Sequence, residues 1–236
     1  MNKNLTEVVF ILDRSGSMSG LEQDTIGGFN SLIKKQKKEE GEVLVSTVLF
    51  DDASEVIYNR VPIQKVELMT DRTYYVRGCT ALLDAVGGAI HHIANVHKYA
   101  KEEDVPAKTL FVIITDGYEN ASRKYTYRKV KKMIELEKNK YDWEFIFLGA
   151  NIDSFAIGGS MGIDPDMTFN SINDSEGIRH QYNAISDSIS CVRKVDNISL
   201  MKNAILECMD EVTKDYIKKE SKMTLHNLYI LLTECW

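Results

Sequence analysis

The sequence has little of what marks a secreted, membrane-spanning or disulfide-stabilised protein. Its 236 residues include four cysteines, and no two of them form a Cys-x-x-Cys pair. The segment 1–6 is polar and lacks the basic start, apolar stretch and small-residue cleavage site of a signal peptide. No run of about 18 apolar residues occurs, so we expect no membrane span. Together these absences predict a cytoplasmic protein with free thiols.

The sequence also has few prolines and only a small net charge. Three prolines, with 44% apolar and 27% charged residues, exclude a chain that is disordered over most of its length. The formal net charge of -6 gives no electrostatic reason to expect DNA or RNA as a partner. Basic residues do cluster at 123–132, but Tyr127, Val130, Ile134 and Leu136 are predicted to form an inward helical face. We interpret the basic residues as the solvated side of that helix.

The apolar periodicity predicts short strands that alternate with helices over most of the chain. Continuous apolar runs at 7–12, 109–115 and 143–148 are typical of strands buried on both faces of a sheet. Such an alternation predicts an α/β fold over residues 1–195: a doubly wound, mostly parallel, Rossmann-like sheet with helices on both faces. The predicted strands are 7–12, 43–50, 54–58, 109–115, 143–148 and 167–169, and the predicted helices are 21–38, 82–100, 125–138 and 178–192.

Residues 196–236 have a different pattern and are predicted to form a C-terminal helical extension. Two sets of apolar residues recur at helical steps: Met201, Ile205, Cys208, Val212 and Tyr216, and then Leu225, Leu228, Leu232 and Cys235. We predict two amphipathic helices whose apolar stripes pack on the α/β domain or on a second copy of the chain. We expect them to flank the sheet and to leave its carboxyl edge open.

Side chains with oxygen donors follow the two central strands. Asp13, Ser15 and Ser17 come directly after the first apolar strand. Asp116 follows the strand at 109–115, and Thr80 precedes a helix. In open α/β sheets, ligands bind at the carboxyl ends of the strands, where the strand order reverses. Oxygen donors without His or Cys favour a hard divalent cation, and two carboxylates with three hydroxyls suit Mg2+ better than a calcium cage.

Simpler interpretations exist for these and other polar residues. Asp and Ser favour turns and helix N-caps, so the motif around Asp13 taken alone is explained equally well by a capped turn. The presence of three such segments at corresponding ends of their elements favours the metal site. The histidines near residues 91–97 do not share a helical face well, so zinc is not expected. Cys79 has no sequence-adjacent base and is interpreted as an inert thiol.

The ordered set of motifs resembles the von Willebrand factor type A domain family. The metal-ion-dependent adhesion site of that family combines Asp-x-Ser-x-Ser, a Thr and an Asp-Gly, which are here Asp13, Ser15, Ser17, Thr80 and Asp116. The resemblance covers residues 5–195 and is strongest to stand-alone cytoplasmic members of bacteria and phages. It implies that the three hydroxyls ligate Mg2+ directly, with Mn2+ or Ca2+ as alternative ions, and that the two Asp residues act largely through water. It further implies that an acidic residue of a partner protein completes the coordination.

Three functions are open at this point. The resemblance favours a non-enzymatic, Mg2+-dependent protein-binding module. A rival is a Mg2+-dependent hydrolase or phosphotransferase with Asp13 as nucleophile, although Ser15 stands where such an enzyme would carry a second carboxylate. In that case only Arg14 and Arg77 are placed to hold a phosphate. The third function is structural, with a metal that only stabilises the loop.

Overall fold

A six-stranded sheet with helices on both faces forms the core of the computed structural model, which confirms the predicted α/β class. The structure describes residues 1–195 and 200–233, without the side chains of residues 211, 220 and 222–233. The strands are β1 (Asn2–Asp13), β2 (Glu42–Phe50), β3 (Ser54–Pro62), β4 (Pro106–Thr115), β5 (Glu144–Ala150) and β6 (Thr168–Ser171). The helices are α1 (Glu22–Gln36), α2 (Leu82–Tyr99), α3 (Tyr127–Tyr141), α4 (Ser154–Met161), α5 (Ser175–Lys194) and α6 (Met201–Thr233).

The order of the strands reverses between β1 and β4. Across the sheet the order is β3-β2-β1-β4-β5-β6. All neighbouring pairs are parallel except β2 and β3, which are antiparallel. The chain therefore moves outward from β1 to β2 and then returns to place β4 on the other side of β1. The carboxyl ends of β1 and β4 flank the crevice in which sheets of this type bind their ligands.

The two central strands are buried on both faces, which explains their continuous apolar runs. Residues 8–12 of β1 and 110–113 of β4 are at most 1% exposed. α1 packs against α5, and α2 packs against α3, so that each pair covers sheet surface. Phe29 of α1 meets Phe10 of β1 edge to face, with 5.5 Å between the ring centroids. Burying an apolar side chain of this kind contributes about 1.5–3 kcal/mol, so the core holds the strand ends in fixed positions.

Two local features differ from the sequence predictions. α4 lies where no element was predicted, because its residues show no apolar stripe. Gly158 of that helix packs so closely on β6 that a Cβ atom would lie 2.7 Å from Thr168 Oγ1. In α3, the prediction that Leu136 points inward is wrong: Leu136 is exposed and Glu137 is buried. The reason is that Ile134 and Glu137 follow the 3.6-residue period, which turns Leu136 outward.

The C-terminal extension is one helix rather than the two predicted. No glycine or proline interrupts residues 201–233, so nothing in the sequence breaks α6. Its first apolar stripe is buried against α5 and β6 at Met201, Ile205, Met209 and Val212, whereas Cys208 and Tyr216 of the predicted stripe are only half-buried. The second predicted stripe, Leu225, Leu228, Leu232 and Cys235, lies outside the described side chains. Neither α6 nor any other helix within the described residues has the length and hydropathy of a membrane span.

Ion pairs show the direction in which α6 runs along the domain. Lys202 Nζ lies 3.1 Å from Asp164 Oδ2, before β6, and Lys219 Nζ lies 3.2 Å from Asp174 Oδ2, after β6. α6 therefore runs in the same direction as β6 and reaches the carboxyl edge of the sheet beside this edge strand. At this edge, Lys219 of α6 pairs with Asp174 and Glu176, which follow β6. Cys191 of α5 lies beside Cys208 of α6, with 3.3 Å between the two Sγ atoms. Burial raises the pKa of Cys208 to about 12.

Candidate metal site

The five oxygen-bearing residues singled out in the sequence lie together at the carboxyl edge of the sheet. Asp13 is the last residue of β1, and Asp116 directly follows β4. Ser15 and Ser17 belong to the loop between β1 and α1, and Thr80 belongs to the loop that leads into α2. The reversal of strand order thus brings side chains from three distant loops to one place.

Three hydroxyl groups form the centre of this cluster. Ser15 Oγ lies 3.0 Å from Ser17 Oγ and 3.0 Å from Thr80 Oγ1. Ser17 Oγ also donates a hydrogen bond of 2.5 Å to Asp116 Oδ1. Ser15 and Thr80 are buried, whereas Ser17 is exposed. The cluster is therefore accessible to solvent from the side of Ser17.

Asp13 is buried among hydrogen-bond donors and is 1% exposed. Its Oδ1 accepts a hydrogen bond of 2.7 Å from the backbone N–H of Ser15, and its Oδ2 accepts one of 2.6 Å from the Thr115 hydroxyl. Burial raises the pKa of Asp13 to about 6, with a smaller contribution from the charge of Asp116, while the hydrogen bonds oppose the shift. The ionised form of Asp13 is therefore costly until a cation compensates its charge.

Asp116 is the second buried carboxylate, and it is held from two sides. Besides the bond from Ser17, its Oδ2 accepts a hydrogen bond of 2.9 Å from Asn173 Nδ2. Burial raises the pKa of Asp116 above its usual value, although these two hydrogen bonds lower it. Asn173 lies between β6 and α5 and was not singled out in the sequence, because no motif links that loop to the crevice. Thr115, the partner of Asp13, was missed because it reads as the last residue of a strand.

Backbone hydrogen bonds tie the three loops together. The N–H of Gly16 donates to the carbonyl of Gly78 at 3.2 Å. The N–H of Thr80 donates to Asn120 Oδ1 at 2.9 Å, and the N–H of Asn120 returns a bond of 3.0 Å to the carbonyl of Thr80. Gly117 adds a steric condition, since a Cβ atom there would lie 2.8 Å from Thr80 Oγ1 and 3.1 Å from Ser17 Oγ. The hydroxyls can converge only because position 117 has no side chain.

Arg14 faces away from the cluster and supports the neighbouring loop instead. Its side chain is fully buried, and its Nε lies 2.8 Å from Asp51 Oδ2. Arg77 Nε approaches the same oxygen at 2.8 Å. Burial works to raise the pKa of Asp51, but the hydrogen bonds from Arg77 and Arg14 hold it below its usual value. Both arginines considered as phosphate clamps are therefore engaged with Asp51.

The histidines and Cys79 lie outside the cluster. His97 Nε2 is 2.6 Å from Glu7 Oε2, and His92 Nε2 is 2.8 Å from Asn59 Oδ1. Cys79 is exposed on the loop before Thr80. In the part of the chain that the structure describes, no three His, Cys, Asp or Glu side chains are grouped as metal ligands.

The donor set of the cluster fits a hard cation. Every donor is an oxygen atom, and three of them are neutral hydroxyls that can turn a lone pair toward a cation. The two carboxylates add negative charge in a buried setting, which a cation would offset. The residues present therefore suit a divalent ion that prefers oxygen ligands.

Solved structures of similar fold include von Willebrand factor type A domains. The von Willebrand factor domain of the type V pili tip protein Mfa5 of Porphyromonas gingivalis has a TM-score of 0.53 at 12% identity, over 78% of this chain and 94% of that one. A von Willebrand factor type A protein of Catenulispora acidiphila has a TM-score of 0.52 at 11% identity, over 79% of this chain and 42% of that one. Proximal thread matrix protein 1 of the mussel byssus has a TM-score of 0.51 at 13% identity, over 86% of this chain.

The comparisons support the fold rather than a function. One structure of the mussel protein, also at a TM-score of 0.51, is described as having a zinc-occupied metal-ion-dependent adhesion site motif. The chain spans about half of the mussel protein's length, at 46%. No protein-family model matches the sequence, and no curated protein matches it. At identities of 11–13%, the similarity shows that this chain has the fold of a von Willebrand factor type A domain.

Proposed function

We propose that this protein is a divalent-metal-dependent interaction module in which Mg2+ at the candidate site binds a carboxylate of a partner protein. The hydroxyls of Ser15, Ser17 and Thr80 are the direct protein ligands. Asp116 orients the Ser17 hydroxyl, Asp13 holds the backbone N–H of Ser15, and both carboxylates act on the metal largely through water. When bound, the cation supplies a Lewis-acidic position for an anionic oxygen of the partner.

The spacing of the hydroxyl oxygens is the observation that carries this proposal. Ser15 Oγ lies 3.0 Å from both Ser17 Oγ and Thr80 Oγ1. Around Mg2+, with Mg–O distances of 2.0–2.1 Å, neighbouring oxygens of an octahedron lie about 2.9 Å apart, whereas around Ca2+ they lie about 3.3–3.7 Å apart. Both pairs, Ser15 with Ser17 and Ser15 with Thr80, are thus spaced like neighbouring oxygens of a magnesium octahedron rather than a calcium one.

The surroundings of Asp13 favour a binding role over a nucleophilic one. Both of its carboxylate oxygens already accept hydrogen bonds, from the Ser15 N–H and the Thr115 hydroxyl. A nucleophile must present a free oxygen to the substrate, and Asp13 is almost completely buried. Arg14 and Arg77, the two arginines considered as phosphate clamps, both bind Asp51 through Nε. A phosphotransferase is therefore the weaker candidate.

Calorimetry with magnesium alone tests the metal site. We expect the wild-type chain and the surface control Asp71→Ala to bind one Mg2+ per chain with equal affinity. Asp13→Ala should weaken binding at least about tenfold, because the site loses a buried negative charge and the acceptor that holds the Ser15 backbone. Circular dichroism checks that this variant folds. A folded Asp13→Ala variant with wild-type affinity would contradict the site.

Peptide display tests the predicted partner chemistry. We expect selection in Mg2+, followed by elution with EDTA, to enrich peptides with an Asp or Glu at one recurring position. Replacing that residue by Asn or Gln should abolish binding, because a neutral amide is a poor ligand for a hard cation. Selected peptides that stay bound in EDTA would count against a metal-mediated contact.

A further inference from the structure

Two cysteines face each other where α5 and α6 pack together. Cys191 lies near the end of α5 and Cys208 near the start of α6, with 3.3 Å between their Sγ atoms. The S–S bond of a disulfide is about 2.0 Å long, so the two sulfurs need to approach each other by only about 1.3 Å. Rotation about the two Cα–Cβ bonds moves the sulfurs over distances of this size. The two thiols therefore lie close enough to be joined.

Buried neighbours hold the two thiols in this position. On α5, Ile189 and Val192 are at most 1% exposed, and on α6, Ile205 and Met209 are fully buried. Because these residues flank the cysteines in sequence, the packing of the two helices fixes the backbone on both sides of the pair. The proximity of the thiols is therefore a property of the docked helices.

Both thiols are within reach of small reagents. Cys191 and Cys208 are each half-buried, so neither sulfur lies in the closed core. Burial, together with the neighbouring Cys191 thiol, raises the pKa of Cys208 to about 12. Cys208 therefore stays protonated at neutral pH. Since the thiolate is the nucleophile, Cys191 is the sulfur that attacks an oxidant first.

Cys79 lies at the other edge of the sheet and has no such neighbour. It is exposed on the loop before Thr80, at the carboxyl edge. α5 begins at that edge, after β6, and runs back to the amino edge, where Arg193 Nη2 donates a hydrogen bond of 3.0 Å to the carbonyl of Gly41. Among the cysteines that the structure describes, Cys191 is thus placed to join Cys208 within one chain, and Cys79 is not.

We propose that Cys191 and Cys208 are an oxidisable pair that forms a disulfide between α5 and α6 when the protein meets a peroxide. The Cys191 sulfur attacks one oxygen of hydrogen peroxide, the O–O bond breaks, and a sulfenic acid and hydroxide form. The Cys208 sulfur then attacks the Cys191 sulfur, so that the S–S bond forms as the S–O bond breaks. The two thiol protons end on the two hydroxides. Two thiols thus lose two electrons, and one peroxide becomes two waters.

The crosslink would hold the start of α6 on the domain covalently, and a dithiol would reverse it. None of the atoms involved belongs to the candidate metal site, so the proposal stands independently of the proposed function.

Peptide mapping of the oxidised full chain tests this proposal. The wild-type chain is treated with hydrogen peroxide, its remaining thiols are blocked with iodoacetamide, and its peptides are analysed without reduction. We expect two peptides joined through Cys191 and Cys208, lighter by two hydrogen atoms than the reduced pair, with Cys79 alkylated. Dithiothreitol should restore both thiols. Alkylation of both cysteines, sulfinic acid without a crosslink, or a disulfide from either one to a different cysteine would overturn the proposal.

Thermal unfolding of matched variants tests the effect of the crosslink. Oxidised wild type should melt about 6–12 °C above its reduced form, because the crosslink restricts the unfolded chain. Cys79→Ser should keep this difference, whereas Cys208→Ser should lose it, with circular dichroism confirming that both variants fold. Equal melting temperatures for the two forms of wild type, or a difference that persists in folded Cys208→Ser, would overturn the proposal.

Discussion

Asp13 combines deep burial with two hydrogen bonds, and this combination determines how the site responds to pH. Its pKa of about 6 in the folded chain lies above its ordinary value of 3.8. The protonated side chain therefore stabilises the metal-free fold. That contribution is fully present below about pH 4 and is lost as the pH rises through about 6. A cation needs the ionised form, so metal affinity should rise over the same range.

We expect the free energy of unfolding in EDTA to fall between about pH 4 and about pH 6 more steeply in wild type than in Asp13→Asn. Asparagine has no proton to lose, so that part of the slope is missing from the variant. Urea unfolding of both proteins at several pH values measures the difference. Identical pH profiles would show that Asp13 does not titrate in this range.

Gly117 offers a steric test of the hydroxyl cluster. Gly117→Ala should displace the Thr80 and Ser17 hydroxyls and weaken Mg2+ binding by about tenfold or more, because a Cβ atom would lie within 3.1 Å of both oxygens. Gly88 of α2 is the matched control, since a Cβ there meets nothing within 4 Å. Gly88→Ala should raise the free energy of unfolding by about 0.5–1 kcal/mol and leave Mg2+ binding unchanged. Calorimetry showing wild-type affinity for Gly117→Ala would contradict the role of the close approach.

At the scale of elements, the position of α6 depends on one buried stripe. Ile205→Ala should lower the free energy of unfolding by about 2–4 kcal/mol, because the side chain is fully buried between α6 and the domain. Ile217 of the same helix is exposed, and Ile217→Ala should change the free energy of unfolding by no more than about 0.5 kcal/mol. Urea denaturation measures both. Equal effects at the two positions would mean that the stripe does not dock in solution.

Apolar periodicity predicts the elements that are buried in a regular way and misses those that are not. Strands such as β1 and β4, buried on both faces, are unmistakable in the sequence. α4 carries no stripe, and its close approach to β6 depends on Gly158, which reads as a helix breaker. In α3, the apolar pattern predicts Leu136 as the buried residue, whereas Glu137 is the one that is buried. α6 is continuous because no glycine or proline interrupts it. The gap between its two apolar stripes hides this continuity in the sequence and leads to a prediction of two helices.

At the scale of the whole molecule, the strand order makes the candidate site. The motifs at Asp13, Thr80 and Asp116 are separated in sequence, and the reversal between β1 and β4 brings them together. Strand identity and the rule for parallel sheets were enough to predict this meeting. The supporting contacts were not predictable. Asn173, in the loop after β6, binds Asp116, and Asp51, directly after β2, binds Arg14, directly after β1. Such partners depend on tertiary packing and have no local signature.

Anomalous diffraction from crystals soaked in Mn2+ tests the metal site most directly. Mn2+ prefers the same oxygen ligands as Mg2+ and scatters anomalously. We expect one strong peak within about 2.0–2.3 Å of the hydroxyl oxygens of Ser15, Ser17 and Thr80. A peak at another place on the chain, or a hydroxyl cluster that stays empty at saturating Mn2+, would contradict the metal-dependent function proposed for this protein.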